Sequence, residues 1–212
     1  GLNLEEIINP VTKTSYASFE PSIDYIVTKM ARFPFDKFDS ADRRLGTQMK
    51  ATGEVMAIGR SFEESFLKAI RSIEMKVDHL EMNNLPDTEQ GLLDRIDFRD
   101  DTRIFAIAKL LRMGYDLEKI YEETKIDRFF LNKILHIIRL EKEMRENVKD
   151  LEVLRKLKKY GFSDSYIARN WKMSENDLYD LRKANKIIPV YKMVDTCAAE
   201  FESNTPYFYS TY

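Results

Sequence analysis

The chain has 212 residues, enough for one or two domains. Its 43% hydrophobic content supports a buried core, and 33% charged residues with only 7 glycines point to a mostly helical protein. With 34 basic and 36 acidic residues it lacks the basic surplus that favours nucleic acid, and 1 cysteine with 2 histidines excludes an internal disulfide and a Cys/His zinc site. No apolar run approaches the roughly twenty residues of a membrane helix, so the composition reads as a soluble, cytoplasmic chain.

Three prolines, Pro10, Pro21 and Pro34, fall in residues 1–60. Behind Pro21, Ile23, Tyr25 and Val27 alternate with weaker neighbours, which predicts a strand around residues 25–28 with that set on its buried face. Val55-Met56-Ala57-Ile58 lies between Gly53 and Gly59 and fits a buried strand or a helical turn. Ser61 followed by Glu64 forms a capping box that opens a helix. Phe62, Phe66, Ala69, Ile70 and Ile73 give that helix its apolar stripe. Residues 81–90 have no clean period and read as a connector and domain boundary.

From Leu92 the pattern is helical. Residues 102–112 carry Ile104, Ile107, Ala108, Leu110 and Leu111, and residues 128–146 carry Leu131, Ile134, Leu135, Ile138 and Leu140. Pro189 stops the helices, and residues 190–194 alternate like a strand. The last run, residues 206–212, is strand-prone and ends with its aromatics unpartnered. With no initiator Met at the other end, the sequence reads as an excised piece.

The helical part repeats itself at an offset of 47: Gly114 aligns with Gly161, Ile107 with Leu154, Leu110 with Leu157, Leu131 with Leu178 and Ile134 with Leu181. Each copy reads as helix, glycine stop, aromatic, N-cap, short helix, N-cap, longer helix. The glycines fit the left-handed position past a helix end, and Asp116, Ser163, Asp127 and Ser174 fit N-caps. Two copies suit a compact bundle of related hairpins better than a solenoid.

Residues 162–182 have the pattern of a DNA-binding helix-turn-helix, with a reading helix that starts at Ser174. Its first turns carry Glu175, Asp177 and Asp180, which would repel phosphates, so the charge pattern favours a packing motif. Arg155, Lys156, Lys158 and Lys159 form either an anion patch or the solvated face of a helix, and the leucines behind them favour the second. Adjacent carboxylates such as Glu63/Glu64 and Asp100/Asp101 do not share a helix face and do not read as acid–base pairs. His136 reads as a packed histidine beside Leu135 and Ile137, and Cys197 as a small buried hydrophobe rather than a nucleophile. No glycine-rich nucleotide loop occurs. No catalytic, cofactor-binding or metal-binding set emerges from these residues.

Several runs, in order, resemble one family. Residues 17–29 contain Phe19-Glu20-Pro21-Ser22-Ile23-Asp24-Tyr25, and residues 48–60 contain Gly53-Glu54-Val55-Met56-Ala57-Ile58-Gly59-Arg60. Asp127-Arg128-Phe129-Phe130-Leu131, Asp195-Thr196-Cys197-Ala198-Ala199-Glu200-Phe201 and Tyr209-Ser210-Thr211-Tyr212 complete the set. Together they resemble the large subunit of carbamoyl-phosphate synthase. The resemblance implies a mainly α fold: a helical bundle with two helix-turn-helix-like units, preceded by a small α/β tail of an ATP-grasp domain. Residues 1–80 would be the end of the carboxyphosphate half, and residues 81–212 the oligomerisation domain running into the second half.

The resemblance further implies an enzyme that makes carbamoyl phosphate from glutamine-derived ammonia, bicarbonate and two ATP, for arginine and pyrimidine synthesis. ATP and Mg2+ or Mn2+ would bind upstream of Gly1 and effectors downstream of Tyr212, leaving this segment structural and without a cofactor of its own. Its partners would be the rest of its own chain, a glutamine amidotransferase small subunit and a second copy of itself, with no nucleic acid and no membrane. Met56 would either line a carbamate passage or serve as core, and Phe129, Phe130, Trp171 and Tyr179 are the candidate oligomer contacts. The competing reading is a free-standing helix-turn-helix regulator of nucleic acid.

Overall fold

A computed structural model describes residues 1–38 and 40–212. After a short 3-10 turn at Leu4–Glu6, strands β1 (Ile26–Arg32) and β2 (Gly53–Gly59) lead into helix α1 (Phe62–Ser72). Seven helices follow: α2 (Glu89–Phe98), α3 (Arg103–Arg112), α4 (Leu117–Thr124), α5 (Arg128–Glu146), α6 (Leu151–Lys159), α7 (Asp164–Asn170) and α8 (Glu175–Ala184). Strands β3 (Val190–Met193) and β4 (Phe208–Thr211) close the chain. The fold is therefore mainly helical, with two small antiparallel strand pairs. No helix among the described residues is long and apolar enough to cross a membrane.

β1 pairs with β2 from Ile26↔Gly59 to Arg32↔Gly53. The strand foreseen around Tyr25 exists, but its faces are reversed. Of the expected set Tyr25 is half-buried, but Ile23 and Val27 are exposed, and Ile26, Thr28 and Met30 turn inward. The reason lies in the partner strand. Ala57 and Gly59 are small enough for α1 to approach, and a Cβ on Gly59 would stand 2.9 Å from the Ser65 nitrogen. The Thr28 and Ser65 hydroxyls then share a hydrogen bond of 2.7 Å. Close approach decides the docking face here, over the bulk of the branched side chains.

α1 starts where the sequence places it. Ser61 Oγ accepts the Glu64 N–H at 3.2 Å. The second half of the capping box is absent, because the Glu64 carboxylate accepts the Arg60 N–H at 2.8 Å instead. Phe66, Leu67 and Ile70 of α1 enter one core with Leu92 and Ile96 of α2, Phe105 to Leu111 of α3, and Leu131, Ile134 and Ile137 of α5. Leu154, Leu157, Phe162, Tyr166, Ile167 and Leu178 continue the same core through the second helical unit. Each fully buried side chain of this kind stabilises the fold by about 1.5–3 kcal/mol.

The repeat is physical. Gly114 and Gly161 both have φ +86°. Gly114 donates to the Leu111 carbonyl and Tyr115 to that of Leu110; Gly161 donates to Lys158 and Phe162 to Leu157. These are two copies of one Schellman stop. Asp116, Ser163, Asp127 and Ser174 all accept backbone N–H groups as N-caps. Lys125 (φ 55°) and Lys172 (φ 54°) then end the short helices in the same left-handed conformation. The units differ in length: α5 has 19 residues and α8 has 10.

β3 pairs with β4 from Val190↔Thr211 to Met193↔Phe208. The closing aromatics are only partly unpartnered. Tyr209 is buried beside Tyr25, and the Tyr212 hydroxyl accepts from Arg182 at 2.9 Å. Tyr207 and Phe208 stay exposed.

Candidate functional site: a stem and an aromatic surface

The incoming and outgoing segments of the chain meet. Glu200 Oε1 accepts from Asn9 Nδ2 at 2.6 Å and from Ser15 Oγ at 2.5 Å. The Ser22 N–H donates to the Ala198 carbonyl, and the Tyr25 hydroxyl to that of Asp195. One residue then ties both strand pairs to α1. Lys68 Nζ donates to Glu64 Oε1 at 2.8 Å, to the Ile58 carbonyl of β2 at 2.8 Å and to the Ser210 carbonyl of β4 at 2.6 Å. The Thr211 hydroxyl adds a bond of 3.1 Å to Glu64 Oε2. Glu64 is buried, so a carboxylate there requires this many donors. The helices are thus a body carried on a stem made of both ends.

Sequence reasoning passed over the polar groups that brace this body. Glu63 is buried on α1. Its Oε1 lies 2.6 Å from His136 Nδ1 and 3.3 Å from Lys133 Nζ. Burial works to raise the Glu63 pKa, but the bonds from His136 and Lys133 outweigh it and hold the carboxyl below its usual range. His136 is therefore a partner of a buried acid and not a histidine in apolar packing. Lys158 also departs from its expected solvated place. It is buried, donates to the Phe162 carbonyl at 2.8 Å and pairs with Asp164 at 2.9 Å. Burial lowers its pKa in spite of Asp164.

A second buried cluster crosses the bundle. Arg112 holds Glu141 in a fork, Nε to Oε2 and Nη2 to Oε1, both at 2.7 Å. His79 Nε2 lies 3.0 Å from Glu141 Oε1, and its ring stacks on Tyr166 at 3.8 Å. Burial pushes the His79 imidazole below its ordinary pKa. For Glu141 burial acts upward, yet Arg112 and His79 prevail and keep it low. This set is a structural brace. No described group of three or more His, Cys, Asp or Glu side chains is arranged to hold a metal ion.

The candidate contacts separate into two kinds. Phe129 is 52% exposed and Phe130 45%, and Tyr179 is exposed as well. The Phe129 and Phe130 rings pack edge to face at 5.3 Å, and both meet Phe62, at 5.9 and 5.5 Å. Trp171 does not belong with them. It is only 3% exposed, and its indole N–H donates to the Met144 carbonyl at 2.8 Å, so its surface is used by the chain's own core. Met56 stands on the outer face of β2 and is 68% exposed, so it is not core in this chain. Cys197 is half-buried in a turn, not deep in a core. The first turn of α8 presents Glu175, Asn176 and Asp177 outward.

Burial of Glu63 and Glu141 had no clear local signal, because the groups that hold them, His136 and Lys133 for Glu63 and Arg112 and His79 for Glu141, are distant in sequence. Comparison with known families adds one finding. The model of the carbamoyl-phosphate synthetase large chain, oligomerisation domain, matches residues 54–186, from β2 through the second helical unit. That span covers more than half of the sequence, and the chain belongs to the carbamoyl-phosphate synthetase large-chain family through its oligomerisation domain.

Proposed function

We propose that this chain joins and assembles the catalytic parts of a carbamoyl-phosphate synthetase large chain, and does no chemistry itself. One observation carries this reading. Within residues 54–186 the exposed large hydrophobic side chains are Met56, Met113, Phe129, Phe130, Val148 and Tyr179; all the others described lie in the flanks on either side. The helical body exposes few large apolar side chains, while the stem bears an apolar surface that calls for a cover. The stem also unites the two flanks, as an insertion between two parts of a longer protein requires.

In this reading an ATP-grasp half packs on each flank. The parent enzyme converts ammonia from glutamine, bicarbonate and two ATP into carbamoyl phosphate for arginine and pyrimidine synthesis in the cytoplasm. ATP, Mg2+ or Mn2+ and the glutamine amidotransferase small subunit are held outside these residues. Met56, on the outer face of β2, lines the passage of carbamate between the halves. The test is to read the source gene on both sides of this segment. An open frame with an ATP-grasp half on each side supports the proposal. A start codon just before Gly1 with a stop after Tyr212 removes it.

A further inference from the structure

We propose that residues 78–81 are a strap that latches the two helical units together and lets go when His79 takes up a proton. The strap lies between α1 and α2. Among the described residues, positions 74–87 make no backbone-to-backbone hydrogen bond and belong to no helix or strand. Glu74 (φ 59°) and Lys76 (φ 57°) precede the strap, two left-handed residues that are not glycine. Such residues persist only where their surroundings hold them. This stretch is therefore fastened from outside, and it can leave without breaking any regular element.

The fastenings come from both units. In the first, Arg112 of α3 donates to the Leu80 carbonyl at 2.8 Å, and Glu141 of α5 meets His79 Nε2 at 3.0 Å. In the second, Asp78 accepts two bonds from Arg169 of α7, both at 3.1 Å, and the Tyr166 hydroxyl donates to Glu81 at 2.7 Å. Arg145 of α5 stands 3.4 Å from Glu81. His79 is at the centre, fully buried, with its ring 3.8 Å from that of Tyr166.

Only the neutral imidazole fits this place. The Glu141 carboxylate accepts and does not donate, so Nε2 carries the proton and Nδ1 is bare. Nδ1 is buried, and no described protein group lies within hydrogen-bond reach of it. A second proton would make a buried N–H without a protein acceptor, on a charge shut away from solvent. Burial is the strongest influence against that charge, and Arg112 adds to it; Glu141 and Glu81 favour the charge and do not prevail. Asp78 and Arg169 neutralise each other. In the released strap the ring meets water and takes its proton at the ordinary value of 6.5. Below that pH the released fraction rises by up to about tenfold for each pH unit.

Spin labels test the latch. Asn83 and Arg155 are exposed, the first just past the strap and the second on α6. Asn83→Cys and Arg155→Cys, with Cys197→Ser, take one nitroxide each in the 212-residue chain. Pulsed electron spin resonance is expected to show one distance at about pH 8 and a second, growing population below about pH 6.5, while circular dichroism keeps its helical signal. His79→Gln still offers Glu141 an N–H but takes no proton, so it should hold the single distance down to about pH 5. One unchanged distance across the range in the wild type overturns the proposal, and so does a His79→Gln variant that opens at the same pH. Opening only together with loss of helix overturns the strap as a separate unit. Should His79→Gln fail to fold, imidazole NMR of the wild type decides: titration of His79 together with the resonances of residues 78–82 supports the latch, and titration of one without the other removes it.

Discussion

Gly161 lies against Glu64 so closely that a Cβ on the glycine would stand 2.7 Å from the Glu64 Cα. This one contact seats the glycine stop between α6 and α7 on α1, and the Arg71 guanidinium fastens it with a bond of 2.7 Å to the Gly161 carbonyl. Gly114, its repeat mate, has the same φ of +86° but nothing within 4 Å of the same point. The pair separates conformational cost from steric cost. Gly114→Ala is expected to lose about 1–2 kcal/mol, the left-handed penalty alone. Gly161→Ala is expected to lose clearly more, about 3 kcal/mol or above, since the backbone of α1 must also move. Denaturant midpoints at equal slope measure both. Equal losses would show that the close approach costs nothing.

Lys68 should govern the attachment of β4. Lys68→Met removes donors from Ile58, Glu64 and Ser210 at once and leaves Glu64 buried with only Arg60 and Thr211. Losing one partner of a buried pair costs about 3–5 kcal/mol. Hydrogen exchange is the measurement. The amides of β4 and β2 should exchange faster while those of α5 keep their protection. Uniform acceleration through the whole chain would instead mean that stem and body unfold as one.

Acid should weaken the fold in two stages. His79 has a folded pKa depressed below its ordinary 6.5, so its neutral form belongs to the folded state. The unfolded chain takes up that proton first, and stability falls as the pH drops below about 6.5. Glu63, Glu141 and Asp164 are also depressed, from ordinary values of 4.5, 4.5 and 3.8. Their contribution is complete above those values and is lost as the pH falls through the lower folded ones. Unfolding free energies from pH 8 to 3 test this. His79→Gln should flatten the first stage and spare the second. An unchanged slope between pH 7 and 5 would clear His79.

Trp171 and Tyr179 should behave oppositely. Trp171→Ala opens the core and is expected to cost about 3–5 kcal/mol. Trp171→Phe keeps most of the volume and strands the Met144 carbonyl, for about 1–3 kcal/mol. Tyr179→Ser, on the surface, should stay within about 0.5 kcal/mol. Thermal melts rank the three. A harmless Trp171→Ala would contradict its place in the core.

What could be read from the sequence was whatever repeats locally. The bounds of α5 follow from Asp127 and the spacing of Leu131, Ile134 and Leu140. The glycine stops follow from the repeat. The face of β1 could not be read, because Ala57 and Gly59 on another strand decide it. Nor could the burial of Glu63 or Lys158. Periodicity treats a charge as an outward mark, and only the fold brings His136 to Glu63 across 73 positions. Trp171 shows the same limit: an aromatic in a polar stretch looks like a surface anchor until its indole finds the Met144 carbonyl.

The bonds from Asn9 and Ser15 to Glu200, and from Tyr25 to Asp195, have a mechanical meaning. A pull on the two ends of the chain would run straight across these few bonds and leave the helices slack until they broke. Tension applied at the two ends would therefore pass beneath the bundle, and the helices would keep their packing while the stem took the load.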